Sequence, residues 1–505
     1  MQLKLTFAKN TLKLPKRFEI LAREIDEKGA ELTRIVRKIE KANTHIQNLL
    51  GKVHVGGVGQ FQLFLGESGS GKTTFLRTLP NFFKNIAITS FTAKDSFESI
   101  ANEIEKHGHI TNQKIFVIDE RDNPIVSADE LKPFFERLRV LFRKKEGAVL
   151  IVWPITDKAS CEVISQIAWD IGRESISPVE GAVYNFEGLP KTEYFDVADE
   201  TVRNLNNGES LDSFGITRDV ADSILTNSKT IGDFYARIER LAYELNEKAW
   251  KTLEEKVTPK IWILLPGDSL TEIDRTVKAL TQGIESRVDV DRMLAYLDDE
   301  TNESAYLNEW RQKRSHAGFL FRLLDVRLFS VSPNLALACA RLYGEDGAKK
   351  SLKKRSETKN VCHDLVGRSG FYLALTSQSD SSKRTERATK EDTQFEYLRL
   401  QQSAKSQDKE LNKCFATALQ NKLEEDEYSG YIIKCEKQEL TGTKLKPDIQ
   451  IEQSNKQIIC LEITWRTTGL EVQGEIESRQ NTLTPGHIQK YILDKTMEYV
   501  KELDL

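Results

Sequence analysis

The period of apolar positions changes along the chain, and each change predicts a different kind of structure. Between residues 15 and 50, Phe18, Leu21, Ile25, Leu32, Ile35, Ile39 and Ile46 recur at helical steps between charged residues. That spacing predicts a leader helix or helix pair, whose simplest role is to cover the edge of the next domain. From 59 to 190 the pattern becomes short apolar runs, at 61–65, 86–90, 115–119, 148–153 and 182–186. They alternate with helical patterns near 72–84, 95–107, 129–144 and 158–171. Near-continuous apolar runs fit strands covered on both faces, so the alternation predicts a parallel sheet between two helical layers.

From 191 to about 340 the pattern is mostly helical, with several short amphipathic helices over 195–245. One apolar strand, Lys260 to Leu265, stands isolated there and stops at Pro266-Gly267. Further helices read at 268–283, 289–297, 303–312 and 317–325. Residues 345–410 are polar, with basic runs at 349–355 and 383–390, and read as a connector. A helix–strand–strand–strand–helix pattern follows from 406. The expected organisation is a leader at 1–54, an α/β core at 55–190, a helical lid at 191–250, a helical middle domain at 251–345, a connector at 346–405 and a last domain at 406–505.

Composition narrows the class. A chain of 505 residues should hold two to four domains. Its 39% hydrophobic content supports packed cores, and no apolar run approaches the length of a bilayer span, so no membrane partner is expected. A net charge of −4 gives no global basic field, so contact with DNA would need local basic patches. The six cysteines include no CxxC pair, which argues against zinc and against a disulfide framework. The start, Met-Gln-Leu-Lys-Leu-Thr-Phe, lacks a signal-peptide core, so a cytoplasmic protein is expected.

The first chemistry-bearing stretch is Gly66-Glu67-Ser68-Gly69-Ser70-Gly71-Lys72-Thr73, set between an apolar strand and an apolar helix. It is the phosphate-binding loop pattern in its strand-to-helix context. Its glycines permit the close approach and unusual dihedrals that an anion cradle needs. Lys72 is expected on the β and γ phosphates of ATP, and the Thr73 hydroxyl on Mg²⁺, with Thr74 beside it in the nucleotide shell. The apolar run 115–118 then ends in Asp119-Glu120. Asp119 is expected to hold the metal with Thr73, and Glu120 to polarise the attacking water. The next strand delivers Thr156 and Asp157 to the same sheet edge, where Thr156 could meet the γ-phosphate. The helix at 158–171 ends in Gly172-Arg173, and Arg237 opens a later helix. Arg173 reads as an arginine finger or as a helix-end cation, and Arg237 as a sensor in cis.

This order of loop, acidic strand, polar sensor strand, arginine-ended helix and helical lid resembles the AAA+ class of P-loop ATPases over roughly residues 55–245. The resemblance implies ATP, Mg²⁺ and assembly into homo-oligomers through the ATPase domain. A hallmark segment between the acidic strand and the sensor strand is not recognisable, so related signalling ATPases stay open.

A second constellation lies near the end. Strands at 447–452 and 457–465 flank the turn 453–456, and their period of two brings Asp448 and Glu462 within reach of one another across a hairpin. Two such carboxylates can hold Mg²⁺. Pro447-Asp448 and Glu462-Ile463-Thr464 resemble the PD-(D/E)xK, restriction-endonuclease-like nuclease fold, with Thr464 where that family carries lysine. The resemblance implies metal-dependent DNA cleavage by Asp448 and Glu462. Arg466, Lys446 or Lys490 could replace the lysine, and Glu424 or Glu425 could add a helix acid. The last helix has no strand after it, unlike the family pattern. The whole is then an α/β protein: a P-loop three-layer parallel sheet with a helical lid, a helical middle region and a C-terminal nuclease-like domain. An ATPase joined to such a domain resembles bacterial systems that destroy foreign DNA. The alternative is a non-nucleolytic AAA+ regulator whose last domain is a degenerate module that binds DNA or recruits a protein partner.

Overall fold

The computed structural model describes residues 12–28, 35–107, 113–121, 128–144, 148–178, 181–256, 258–283, 285–299, 301–345, 349, 352, 358–377, 389–404, 408–435, 439–440, 442–468 and 482–505. They form two compact units. One comprises Lys13–Leu205 with Ala221–Arg240, and the other includes Asn206–Val220 and Leu241–Leu505.

The first unit is built on a five-stranded parallel sheet. Its strands are β1 (Gln60–Leu65), β2 (Ile86–Phe91), β3 (Gln113–Ile118), β4 (Leu150–Ile155) and β5 (Val183–Asn185), in the order β2-β3-β4-β1-β5. Helices α1 (Phe18–Lys28) and α2 (Glu40–Gly56) precede the sheet. Helices α3 (Lys72–Thr78), α4 (Phe97–His107), α5 (Ala128–Phe142) and α6 (Lys158–Gly172) connect the strands. Phe61, Leu63, Phe116 and Ile151 face α4, α5 and α6, while Phe64, Ile115, Leu150 and Val152 face α2 and α3. Both sheet faces are therefore covered, which is why these strands read as near-continuous apolar runs. The helix expected over 72–84 ends at Thr78 and tightens into a 3-10 turn at Leu79–Asn81. Pro80 lacks an amide proton and would crowd the carbonyl of Leu76, so the α-helix cannot continue. Helices α7 (Tyr194–Leu205), α8 (Arg218–Thr226) and α9 (Ile231–Glu255) follow.

The second unit is built on a seven-stranded mixed sheet. Its strands are β6 (Lys260–Pro266), β7 (Thr281–Gln282), β8 (Arg287–Val288), β9 (Arg327–Val331), β10 (Tyr431–Cys435), β11 (Ile449–Gln453) and β12 (Ile458–Ile463), ordered β10-β11-β12-β6-β9-β8-β7. The strand read as isolated, β6, lies at the centre, parallel to β12 on one side and β9 on the other. Its run Ile261-Trp262-Ile263-Leu264-Leu265 is buried on both faces, which a lone strand among helices could not achieve.

Helices α10 (Leu270–Leu280), α11 (Val290–Leu297), α12 (Ala305–Gln312), α13 (Ala317–Leu323), α14 (Pro333–Tyr343), α15 (Lys359–Gly367), α16 (Gly370–Leu375), α17 (Glu391–Ala404), α18 (Asp408–Glu425) and α19 (Pro485–Glu502) complete the unit. Residues 359–404, read as connector for their charge, thus contribute three helices. Their Cys362, Val366, Phe371, Tyr372, Tyr397 and Leu400 enter the core on one side of the sheet, with Leu411 and Phe415 of α18. Ile488, Ile492, Met497 and Tyr499 of α19 pack on the opposite side with Ile261 and Cys460. Among the described residues, no helix is long and apolar enough to cross a membrane.

Candidate functional site

The phosphate-loop residues form a tight strand-to-helix turn. Gly69 and Gly71 take φ of 78° and 92°, left-handed values that favour glycine. Gly71 caps α3, and nothing lies within 4 Å of where its Cβ would be. Around Gly69 the chain is close-packed: the Gly232 amide donates to the Gly69 carbonyl at 2.9 Å, and the Thr230 hydroxyl donates to the Ser68 carbonyl at 3.3 Å. A Cβ on Gly232 would sit 2.9 Å from Gly69 Cα, so only glycine lets the start of α9 back the loop.

Strand order explains the next contacts. Because β4 lies between β1 and β3, Thr156 emerges next to the loop. Lys72 Nζ donates to the carbonyls of Gly66 (2.7 Å) and Glu67 (3.1 Å) and to Thr156 Oγ1 (3.1 Å). The Thr73 hydroxyl donates to Asp119 Oδ1 at 3.2 Å, so the two expected metal residues already touch. Asp119 is buried, and Glu120 is exposed beside it with φ 57°. Asp157 is occupied as the N-cap of α6, accepting from the Ser160 amide at 2.7 Å. That hydrogen-bonded set, the Ser160 hydroxyl first, holds its carboxyl below the usual range. Arg173 is exposed at the end of α6, and Arg237 pairs with Asp233 at 3.0 Å on the surface of α9.

The loop fits a triphosphate on its own chemistry. Ser70 Oγ is buried without a hydrogen-bond partner in a turn that places an ammonium, two left-handed glycines and a helix start together. Arg77 was not singled out in the sequence. It donates to Asp119 Oδ2 through Nε (3.1 Å) and an NH2 (2.8 Å). The available signal was its place one helical turn after Thr73, on the same face.

The second unit gathers the other constellation on the α19 side of β12. Ile449 pairs with Leu461, which sets Asp448 opposite Glu462 in the antiparallel register. Asp448 Oδ2 accepts from the Ile463 amide at 2.7 Å. Glu462 is buried, accepts from the Tyr499 hydroxyl at 2.6 Å and pairs with Lys495 Nζ at 3.3 Å. Burial raises the Glu462 pKa, against the opposing pull of Lys495. Burial works against the Lys495 ammonium too, but Glu462 and Glu498 outweigh it and its pKa is raised. Thr464 Oγ1 accepts from Arg466 Nε at 2.8 Å, and the Arg466 guanidinium lies over the Tyr491 ring.

The other expected participants are elsewhere. Lys446 pairs with Glu439 at 3.4 Å, and Lys490 with Asp494 at 2.7 Å. Glu424 accepts from Gln420, and Glu425 pairs with His363 and Lys422, all on α15 or α18 across the sheet. Among the described residues, no group of three or more His, Cys, Asp or Glu is placed to hold a metal ion. Any cation here would rest on Asp448 and Glu462. Lys490 and Lys495 show how a neighbouring position misleads: five residues along a helix is more than a full turn, and only 495 falls in register with Tyr491 and Tyr499.

The first unit thus sets a glycine-rich strand-to-helix loop of the phosphate-binding pattern at the edge of a five-stranded parallel sheet. No protein-family model and no curated protein matches the chain. Among solved structures, Cdc6p from Pyrobaculum aerophilum shares 12% identity over 78% of this chain and 97% of that one, with a TM-score of 0.32. The Aeropyrum pernix Orc1 protein, solved in complex with DNA, shares 11% identity over 79% of this chain and 95% of that one, with a TM-score of 0.28. These superpositions are loose, and the functional reading rests on this chain's own residues.

Proposed function

We propose that the chain is an AAA+-type ATPase whose second unit is a metal-dependent DNA nuclease of restriction-endonuclease-like type, controlled by ATP. In the first unit Lys72 would carry the β and γ phosphates, Thr73 and Asp119 would hold Mg²⁺, Glu120 would polarise water, and Thr156 would report the γ-phosphate. ATP would supply the γ-phosphoryl group that passes to water, with ADP as the leaving group, and the driving force for conformational change. Arg173, exposed at a helix end, is the candidate finger toward a neighbouring subunit in a homo-oligomer, whereas Arg237 is already paired with Asp233.

The observation that carries the nuclease half is the Lys495–Glu462 pair at 3.3 Å, on the side of the sheet where Asp448 lies opposite Glu462. Two carboxylates and an ammonium are the groups that hold a metal and orient a water against a phosphodiester. Lys495 supplies the charge that Thr464 lacks. Strand β12, which carries Glu462, pairs in parallel with β6 from earlier in the chain.

Cleavage of linear and supercoiled DNA with Mg²⁺ or Mn²⁺, with and without ATP, tests this reading. Wild type should nick or cut, and Asp448→Ala, Glu462→Ala and Lys495→Ala should each lose at least about 100-fold in rate. DNA left intact under every combination of nucleotide and metal contradicts the nuclease half. It would leave the second reading, a regulator with a degenerate DNA- or protein-binding module, which Thr464 favours.

A further inference from the structure

The Asp119 carboxylate is fully engaged. Its Oδ1 accepts from the Thr73 hydroxyl (3.2 Å) and the Glu120 amide (3.0 Å), and its Oδ2 accepts from two Arg77 nitrogens (3.1 and 2.8 Å). The remaining edge of the same guanidinium reaches Glu19 on α1, NH1 to Oε1 at 3.1 Å. The Phe18 ring lies against it, 5.6 Å from Cζ to the ring centroid. Helix α1 is held in place by Leu21 and Ile25, which pack with Ile35 and Leu205. Glu19 is thus presented by an anchored helix.

From this geometry we infer that Arg77 is the counter-cation of the metal site and that Glu19 is its alternative partner, so the leader helix α1 sets the Mg²⁺ requirement. This rests on the ATPase reading above. A water-ligated Mg²⁺ presents hydrogen-bond donors to the carboxylate that holds it. Asp119 cannot accept them at Oδ2 while Arg77 donates there twice. Arginine carries five N–H groups in a fixed fork, so it can release one carboxylate while still held by another. The Asp119 pair is the more shielded, since the Asp119 side chain is 4% exposed and that of Glu19 49%. Arg77 therefore rests on Asp119 by preference, and Glu19 lowers the cost of moving it when Mg²⁺ arrives.

The two partners then have opposite effects. Removing Arg77 removes the competitor of Mg²⁺, whereas removing Glu19 leaves Arg77 with Asp119 alone. The test measures binding of a fluorescent ATP analogue to the full chain while Mg²⁺ is titrated, with a melting curve in EDTA for each variant. Arg77→Ala should lower the half-saturating Mg²⁺ concentration several-fold. Glu19→Gln should raise it, by about two- to fivefold given the exposure of that pair. Shifts in the same direction, or an unchanged Mg²⁺ requirement in either variant, overturn the inference. If Arg77→Ala does not fold, the surface variant Glu19→Gln decides alone. A wild-type chain that binds the analogue at no Mg²⁺ concentration would instead sink the underlying ATPase reading.

Discussion

Glu120 occupies the left-handed region at the end of β3, with φ 57°, a conformation that costs a non-glycine residue on the order of 1 kcal/mol. Its backbone amide is tied to Asp119 Oδ1, and its side chain is exposed while that of the aspartate is buried. Glu120→Gln keeps the side-chain size and removes the carboxylate proposed to polarise the attacking water. ATP should still bind, turnover should fall by about 100-fold or more, and nucleotide should stay on the protein through gel filtration. Normal turnover in that variant would refute the water-polarising role. At this scale the contiguous part of the site was legible, because residues 66–73 and 119–120 form by local geometry. Arg77, Thr230, Gly232 and Lys495 were not singled out. Gly232 meets Gly69 from 163 residues away, at a 2.9 Å hydrogen bond that no local pattern encodes.

Elements with a clear apolar run or period were read well, and elements opened or interrupted by charge were not. The strands of the first sheet are mostly apolar and fell within two residues of their expected bounds. Strand β9 opens with Arg327, which donates to Asp325 at 3.0 and 2.8 Å, and with that buried ion pair at its start the stretch falls inside a region expected to be mostly helical. Charge likewise hid α15 and α17, whose apolar side faces the core. The segment Asn206–Val220 is a further case, a short piece of the lid region built into the second unit. Its Asp212 is fully buried, accepts from the Val290 and Asp291 amides at 2.6 and 3.2 Å, and so caps α11. Burial, followed by the nearby Asp289, pushes the Asp212 carboxyl up to about 6 from an ordinary 3.8. The folded protein therefore keeps that proton to higher pH than the unfolded chain. The stability linked to it is fully present below pH 3.8 and is lost as pH rises through about 6. Melting temperatures of wild type and Asp212→Asn should converge from acid to neutral pH or cross, by on the order of 5 °C over that window. Parallel profiles would show that Asp212 titrates normally.

Over the whole molecule, the chain passes between the two units at 12/13, 205/206, 220/221 and 240/241. The last passage lies within a continuous helix, α9. The amide of Gly232, in its first turn, bonds the phosphate loop, and Ala249, near its other end, is buried in the core of the second unit. All of this requires that residues 66–73 bind a nucleotide. Titration calorimetry of the purified chain with ATP at millimolar Mg²⁺ measures it directly. Wild type should bind with a micromolar Kd, and Lys72→Ala should bind at least about tenfold more weakly, because the ammonium that meets the phosphates is gone. No heat of binding from wild type, or equal affinity in Lys72→Ala, would contradict the central claim.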